Sequence, residues 1–344
     1  MRLSVVVRSR NEADRLRLTL ASLQAQTVQP EVLVVNDGST DHTSMVLAEV
    51  MGTIRLGIVT HSFPLGRSQA SNAGAARASG DILLFLDGDT LAAPNLVERH
   101  LAAHRYLPNL IGRGETYHLR KTRFLKDPEL ATPQAGHEDR LARMNPEERR
   151  RLRVTKQQIL KDFLAIERSA EPGVYPGAGP RRLYELEMDA LNNHTDCPVL
   201  WAAASGSNLS VSRRHFEKVG GFDPDIDLNE HRELALRLCQ SGGRMRAVSG
   251  ARTYHLTHRT GWRDPLKDLN WERAFLNRHP LEAVKLLSVF WASLSAGDLV
   301  PPDARITSLP ALAAASRSEN SVDYEEIRHR IRAHRVTYRD GAGL

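Results

Sequence analysis

The strongest constraint on this chain is an alternation. Over the first hundred residues, short apolar runs that read as buried strands take turns with segments of helical spacing. Leu3–Val7 is β-branched and mostly apolar, as a strand covered on both faces should be. Ala13 to Gln24 follows with Leu16, Leu20 and Leu23 at helical spacing. Val32–Val35 is a second strand, closed by the turn sequence Asn36-Asp37-Gly38. Thr40 or Asp41 can cap a helix carrying Met45, Val46 and Val50. Ile54–Val59 is a third strand, and Gly66 to Ala78 an Ala/Ser-rich helix. Ile82–Leu86 is a fourth strand, ending at Asp87-Gly88-Asp89, and Pro94 opens a helix with Leu96, Val97 and Leu101 on one side. A βαβαβαβ order predicts an α/β fold with a parallel sheet and right-handed crossovers.

Such sheets bind ligands at the carboxyl ends of their strands. Three polar clusters fall there: Arg8-Ser9-Arg10-Asn11-Glu12, Asn36-Asp37-Gly38-Ser39 and Asp87-Gly88-Asp89. Two carboxylates on one turn after a buried strand offer hard oxygens to Mg2+ or Mn2+, ions that usually bring a diphosphate with them. A solvated Asp-Gly turn would look the same in isolation; three clusters at one sheet edge favour a site. Asp37 can accept hydrogen bonds from a base or ribose, or simply close a turn.

Composition narrows the class. The 344 residues are 41% hydrophobic, enough for a core, so global disorder is excluded. The formal charge of +6 suits an anionic ligand, but no basic block interleaved with aromatics points to nucleic acid. Cys197 and Cys239 form neither a disulfide framework nor a zinc pattern. The apolar start of the chain is too short for a signal peptide, and Leu286–Leu294 covers about half of a bilayer span. These features predict a soluble cytoplasmic protein, with a peripheral membrane contact left open.

Residues 113–198 are different: charged and Arg-rich, with a strong helix start at Asn145-Pro146-Glu147-Glu148 and a helix continuing through Leu152, Ile159, Phe163 and Ile166. The run Pro172 to Pro180 reads as a loop. Core signals resume with strands over Leu200–Ala204 and Leu209–Val211 on either side of Ser205-Gly206-Ser207-Asn208, then a short helix over Arg213–Val219. Asn229 can cap a helix over Glu230–Gln240. Two strands follow, near Met245–Val248 and Arg252–Leu256, with His255 and His258 at the end of the second, and then helices over Leu269–Asn277 and Leu281–Leu294.

The stretches Val5–Glu12 (VVVRSRNE), Val34–Asp41 (VVNDGSTD), Gly66–Gly74 (GRSQASNAG) and Gly80–Asp89 (GDILLFLDGD) resemble the donor half of family 2 glycosyltransferases. Gly206–Asp223 (GSNLSVSRRHFEKVGGFD) resembles the acceptor half. The resemblance implies the GT-A fold: a mixed, mostly parallel central sheet flanked by helices, here with a helical insert and a helical C-terminal extension. It implies that Asp37 recognises the nucleobase, that Arg8, Ser9, Arg10 and Glu12 border the nucleotide with Arg67, and that Asp87 lies near the ribose. Asp89, with Asp87 and His255, would hold Mn2+ or Mg2+; His258 ranks behind His255. Family members often carry Arg just before the Asn-x-Gly of the third helix; Ser71 stands there, so that contact is not expected. Where the family has an acidic pair opening a helix, this chain has Glu230-His231, which makes Glu230 the leading base, with Asp227 and His231 behind it.

The division predicted is 1–112 for the donor, 113–198 for the insert, 199–262 for the acceptor half and 263–344 for the extension. The function implied is inverting, metal-dependent transfer of a sugar from a nucleoside diphosphate sugar, UDP-linked, to an acceptor that is a small molecule, a peptide or a lipid-linked glycan. Self-association as a homo-oligomer stays open. Two rivals are a sugar-1-phosphate nucleotidyltransferase, disfavoured because the first strand end lacks a Gly-rich loop, and a non-catalytic nucleotide-sugar-binding protein, favoured only by His231.

Overall fold

The computed structural model describes residues 1–172, 183–258, 266, 270–295, 297–317 and 322–334. Its first half follows the alternation: β1 (Leu3–Ser9), α1 (Ala13–Gln24), β2 (Glu31–Asp37), α2 (Thr43–Val50), β3 (Arg55–His61), α3 (Arg67–Arg77), β4 (Ile82–Asp87), β5 (Thr90–Ala92) and α4 (Leu96–Tyr106). The register of β1 is parallel to both neighbours, with Val6 opposite Leu33 on β2 and Phe85 on β4. The alternation inside β1 divides the core. Val5 and Val7 join Val32, Val34, Leu84 and Leu86 beneath α1, α2 and α4, while Val6, Leu33, Leu83 and Phe85 face the other layer. α3 reaches that second face closely because Gly74 has no side chain: a Cβ there would stand 2.5 Å from Val6. Asp41, not Thr40, serves the start of α2. Its Oδ1 accepts from Thr43 N–H at 3.1 Å, and its Oδ2 from the Ala13 N–H at 3.0 Å, so one carboxylate holds the entries of two helices.

Between residues 110 and 193 the chain forms β6 (Leu110–His118), a hairpin of β7 (Leu125–Asp127) and β8 (Thr132–Pro133), the short helices α5 (Glu138–Ala142), α6 (Pro146–Leu152), α7 (Lys156–Lys161) and α8 (Phe163–Glu167), then β9 (Glu171–Pro172) and α9 (Leu183–Asn193). The sequence boundary at 112/113 therefore runs through β6, an interior strand of the sheet. Asn145 and Glu148 make the capping box their spacing predicts, but the helix does not continue to Ile166. Thr155 and Gln158 start a second box, and Asp162, at φ −148°, breaks the chain again. The loop expected from Pro172 to Pro180 lies, apart from Pro172, outside the described residues, as does the 262/263 boundary.

The remainder comprises β10 (Leu209–Ser212), α10 (Arg213–Lys218), α11 (Glu230–Gln240), β11 (Arg244–His255) and the helices α12 (Asn270–Arg278), α13 (Glu282–Lys285), α14 (Leu287–Ser295), α15 (Leu309–Ala315) and α16 (Tyr324–His334). The sheet order is β3-β2-β1-β4-β10-β6-β11-β5, with β9 on β6. β10 runs antiparallel to both β4 and β6, and β6 pairs parallel with β11. Two strand expectations are corrected. Leu200–Ala203 is a buried 3-10 turn, because an apolar run of that length does not distinguish a strand from a helical turn. The two strands near 245 and 252 are one strand, kinked by a bulge between Val248 and Arg252 where Gly250 takes φ +75°. Asn229 stands at the cap position of α11, yet its own backbone is left-handed (φ 65°) and its side chain makes no cap bond.

The sequence motifs of the second half act as joints. Asn72 on α3 accepts from Phe222 N–H and donates to Phe222 O, both at 2.8 Å, which ties α3 to the Gly-Gly-Phe turn. Asn208 is fully buried; its amide donates to Ala251 O at 2.9 Å and Glu115 O at 3.1 Å, and its Oδ1 meets His100 Nε2 at 2.8 Å. Gly114 opposite leaves room for it. Leu286–Leu294 is core rather than surface: Val289, Phe290 and Trp291 are buried with Trp271, Ile327 and Ile331. Among the described residues no helix is long and apolar enough to cross a membrane.

The His100 network fixes its own tautomers. Asn208 Oδ1 can only accept, so His100 carries its proton on Nε2 and takes the Ser210 hydroxyl proton at Nδ1, 2.8 Å away. Ser210 Oγ then accepts from His104 Nε2 at 2.9 Å. Burial pushes His100 down to about 4, and burial with His100 alongside pushes His104 down to about 3. The unfolded chain, with histidines near 6.5, then binds protons that the folded chain refuses, so this contribution to stability is complete above pH ~6.5 and is lost as pH falls toward 4. The melting temperature should drop across that window, and less steeply in His104→Asn; an equally steep drop in the variant would contradict the assignment.

Candidate active site

Asp87-Gly88-Asp89 sends its two carboxylates to different partners. Asp87 Oδ1 accepts from Arg8 Nε at 2.6 Å. Asp89 Oδ2 faces His255 Nε2 at 3.1 Å and His258 Nε2 at 2.7 Å. Gly88 is required between them, since a Cβ would stand 2.4 Å from Glu12 Oε1 and 2.8 Å from Ser9.

The Asp89 corner is a carboxylate with two imidazoles, their ligand atoms all within 4.8 Å of one another. Asp89 and His255 meet as the sequence expects; His258, ranked behind, joins them, and Asp87 does not, being taken by Arg8. Burial would raise the Asp89 carboxyl, but His255 and then His258 outweigh it and hold it well below the usual range. Burial would lower His255, and Asp89 reverses that. One hard oxygen and two ring nitrogens suit a divalent cation. Glu12 completes the acidity of the turn. Burial, followed by Asp89 and Asp87, pushes its carboxyl well above the normal value.

The second corner spans the two halves of the chain. Arg8, at the end of β1, donates through its NH1 nitrogen to Glu230 Oε1 at 2.7 Å, and Glu230 is the first residue of α11. Burial works against the Arg8 charge, yet Asp87 and Glu230 raise it overall. Burial also works against Glu230, whose side chain is 1% exposed, and Arg8, His231 and Arg67 together hold it well below the usual carboxylate range. Glu230 Oε2 is buried without a hydrogen-bond partner. His231 accepts an Arg232 NH1 proton at Nε2 (2.8 Å), which leaves its own proton on Nδ1, 3.6 Å from Glu230 Oε2. Burial pushes His231 down to about 4, so the ring is neutral. Gly206 lies against this group; a Cβ there would stand 3.2 Å from both Arg8 and His231.

Other sequence-predicted residues fall nearby in structural roles. Asp37 accepts from His61 Nδ1 at 2.7 Å, Leu65 N–H at 2.8 Å and Gly66 N–H at 3.0 Å, closing the loop before α3. Asp227 accepts the Arg67 N–H at the start of α3 through one carboxylate oxygen. Ser9 is buried and Arg10 exposed at the end of β1. Sequence reasoning missed a buried triad behind α11. Glu187 on α9 accepts from Arg113 at 2.9 Å and from Arg232 at 3.1 Å, and so fixes the residue beside His231. No spacing signal links those three residues, which lie on β6, α9 and α11.

A mixed sheet with an acidic turn after its fourth strand and a carboxylate at a facing helix start is the arrangement of a GT-A fold. Residues 4–159 match the family described as Glycosyl transferase family 2. A validoxylamine A glucosyltransferase of Streptomyces hygroscopicus subsp. limoneus is 31% identical over 310 residues, covering 86% of this chain and 60% of that protein. An uncharacterized glycosyltransferase, YfnE of Bacillus subtilis, is 27% identical over 277 residues, covering 75% of this chain and 65% of that protein. Thus this chain spans 60–65% of the length of these curated relatives. The fold is that of Staphylococcus aureus TarS, with a TM-score of 0.51 at 15% identity, over 97% of this chain and 55% of TarS. A fragment of TarS in complex with UDP-GlcNAc gives a TM-score of 0.50 at 16% identity, over 83% of this chain and 67% of the fragment. Residues 4–159 thus belong to glycosyl transferase family 2.

The buried Arg8–Glu230 pair has a stability consequence. Arg8→Ala leaves Glu230 charged and unpaired, at a cost of about 3–5 kcal/mol. Chemical denaturation should show that loss in Arg8→Ala and a partial recovery in the double variant with Glu230→Gln. A double variant no more stable than Arg8→Ala would show that the two side chains are not coupled.

Proposed function

We propose that this chain moves a sugar from a UDP-linked nucleoside diphosphate sugar to an acceptor nucleophile, in one inverting displacement assisted by Mn2+ or Mg2+. The observation that carries this reading is the split of the Asp87-Gly88-Asp89 turn between a metal-type corner and a buried Arg–Glu pair at one sheet edge. Family membership supports sugar transfer. A relative named for glucosylating validoxylamine A, and a fold shared with a UDP-GlcNAc complex, support a nucleotide-sugar donor.

Each residue then has a task. Asp89, His255 and His258 would hold the cation, whose chemistry is to neutralise charge on the departing diphosphate. Asp37, Arg67 and the residues at the end of β1, including Arg10, would border the nucleotide, and Asp87 the ribose. Arg8 orients Glu230 through Oε1, leaving Oε2 as the proton acceptor for the incoming nucleophile. His231, with Nδ1 3.6 Å from that oxygen, stands beside the carboxylate as a neutral ring. In this reading the donor segment 1–112 and the acceptor segment 199–262 would face each other across this pair. The insert 113–198 and extension 263–344 would shape the acceptor subsite for a small molecule, a peptide or a lipid-linked glycan.

The test is turnover of a panel of nucleotide sugars with Mn2+, with product anomers read by NMR. Release of UDP and an inverted product are expected, and retention or pyrophosphate release from a nucleoside triphosphate would contradict the reading. Glu230→Gln should bind UDP-sugar with near-normal affinity while kcat falls by about 100-fold or more. An unchanged kcat would remove Glu230 as the base.

A further inference from the structure

Arg8 holds the end of the Glu230 side chain, and a second guanidinium ties down the residues on either side of it. The NH1 nitrogen of Arg232 carries two protons. One goes to Asn229 Oδ1 at 2.9 Å and the other to His231 Nε2 at 2.8 Å. The residues before and after Glu230 in the chain are therefore tied to one atom. This accounts for the behaviour of Asn229. Its Oδ1 is taken by Arg232, so its side chain makes no cap bond to α11, and its backbone sits at φ 65°, a region Asn tolerates better than most residues.

Arg232 is itself buried and held on every arm. Its Nε donates to Ala202 O in the 3-10 turn at 2.8 Å, and its NH2 nitrogen to Glu187 Oε1 at 3.1 Å. The guanidinium lies over the Trp291 ring, 5.1 Å from the centroid. Glu187 is in turn fixed by Arg113 at 2.9 Å. These supports lie on α9, α14 and β6, so the parts of the chain outside the recognisable motifs converge on one side chain. A lysine, with a single nitrogen, could not make these bonds together.

We propose that Arg232, set in place by Glu187 and Trp291, is a positioning residue for the base: it fixes Asn229 and His231, and so the orientation in which Glu230 presents Oε2 to the incoming nucleophile. Its use in catalysis rests on the transferase reading; its grip on Asn229 and His231 does not. The grip also decides the state of His231. With Nε2 occupied by an Arg232 proton, the ring has no free lone pair and stays neutral beside Glu230. The charged groups that act on this pair are Glu230 and Arg232 on α11, Arg8 on β1 and Arg67 on α3. Without Arg232 the balance shifts toward a second proton on His231, and an imidazolium there draws on the carboxylate that the nucleophile needs.

The test is Arg232→Met. It leaves Glu187 paired with Arg113, so the interior keeps no unpaired carboxylate, and melting curves should show a folded protein. With a UDP-sugar and Mn2+, kcat should fall about tenfold or more while the donor KM stays within about twofold. The loss should deepen as pH falls from about 8 to about 6, where the released imidazole takes its proton; a merely structural defect lowers kcat by one factor at every pH. Nitrogen-15 spectra of histidine-labelled wild type, with the signal assigned by His231→Gln, should show a neutral His231 with its proton on Nδ1. In Arg232→Met the same ring should titrate at higher pH. The wild-type tautomer tests the grip even where Arg232→Met does not fold. A folded Arg232→Met with unchanged kcat, a loss equal at every pH, or a wild-type His231 proton on Nε2 would overturn the proposal. A wild type that turns over no nucleotide sugar, with the His231 tautomer as stated, would reject the transferase reading and leave the grip standing.

Discussion

The Arg8 guanidinium is the point on which the two halves of the chain depend. It stands at the end of a strand whose neighbours on both sides are parallel, so its position is fixed by the most regular part of the sheet. From there it reaches Asp87 on β4 and Glu230 at the start of α11. Burying a cation and a carboxylate is tolerable only when they are paired. Glu230 is 222 residues away in sequence, so α11 is held to the N-terminal strands by an ion pair that neither side could bury alone.

The same turn then has one acid left. With Asp87 committed to Arg8, Asp89 faces the histidines, and the local potential of the corner is set by what surrounds it. The raised Glu12 carboxyl is the counterpart of the lowered Asp89: Glu12 is buried against both aspartates, whereas two imidazoles offset the burial of Asp89. A cation would relieve that crowding. At the other corner, Arg232 locks the His231 tautomer while Glu187 and Arg113 lock Arg232. The chain thus carries orienting contacts behind Glu230 that run into α9, well outside the recognisable motifs.

The donor half was legible because its strands are buried on both faces and so appear as unbroken apolar runs, each ended by polar residues. Asp89 could be singled out because it follows such a strand, whereas His255 was singled out by the resemblance to family 2 glycosyltransferases. The 3-10 turn at Leu200–Ala203 was misread because length and apolarity fit a strand equally well. β6 was missed because Arg113, Glu115 and His118 break its apolar pattern; their partners are Glu187, Arg252 and the histidine row, none of which is near in sequence. The place of His258 in the cluster depends on the path of the chain after β11, which no periodicity encodes. Asp227 accepts the Arg67 N–H at the start of a helix 160 residues earlier, a contact that no spacing in the sequence announces.

The central question is where a cation and a nucleotide sit relative to the split turn. Anomalous diffraction from crystals soaked with Mn2+ and UDP would decide it. A manganese peak bounded by Asp89, His255 and His258, with the diphosphate on its open side and Asp87 still on Arg8, is the predicted result. A peak at Asp87, or a diphosphate bound away from this corner, would contradict it.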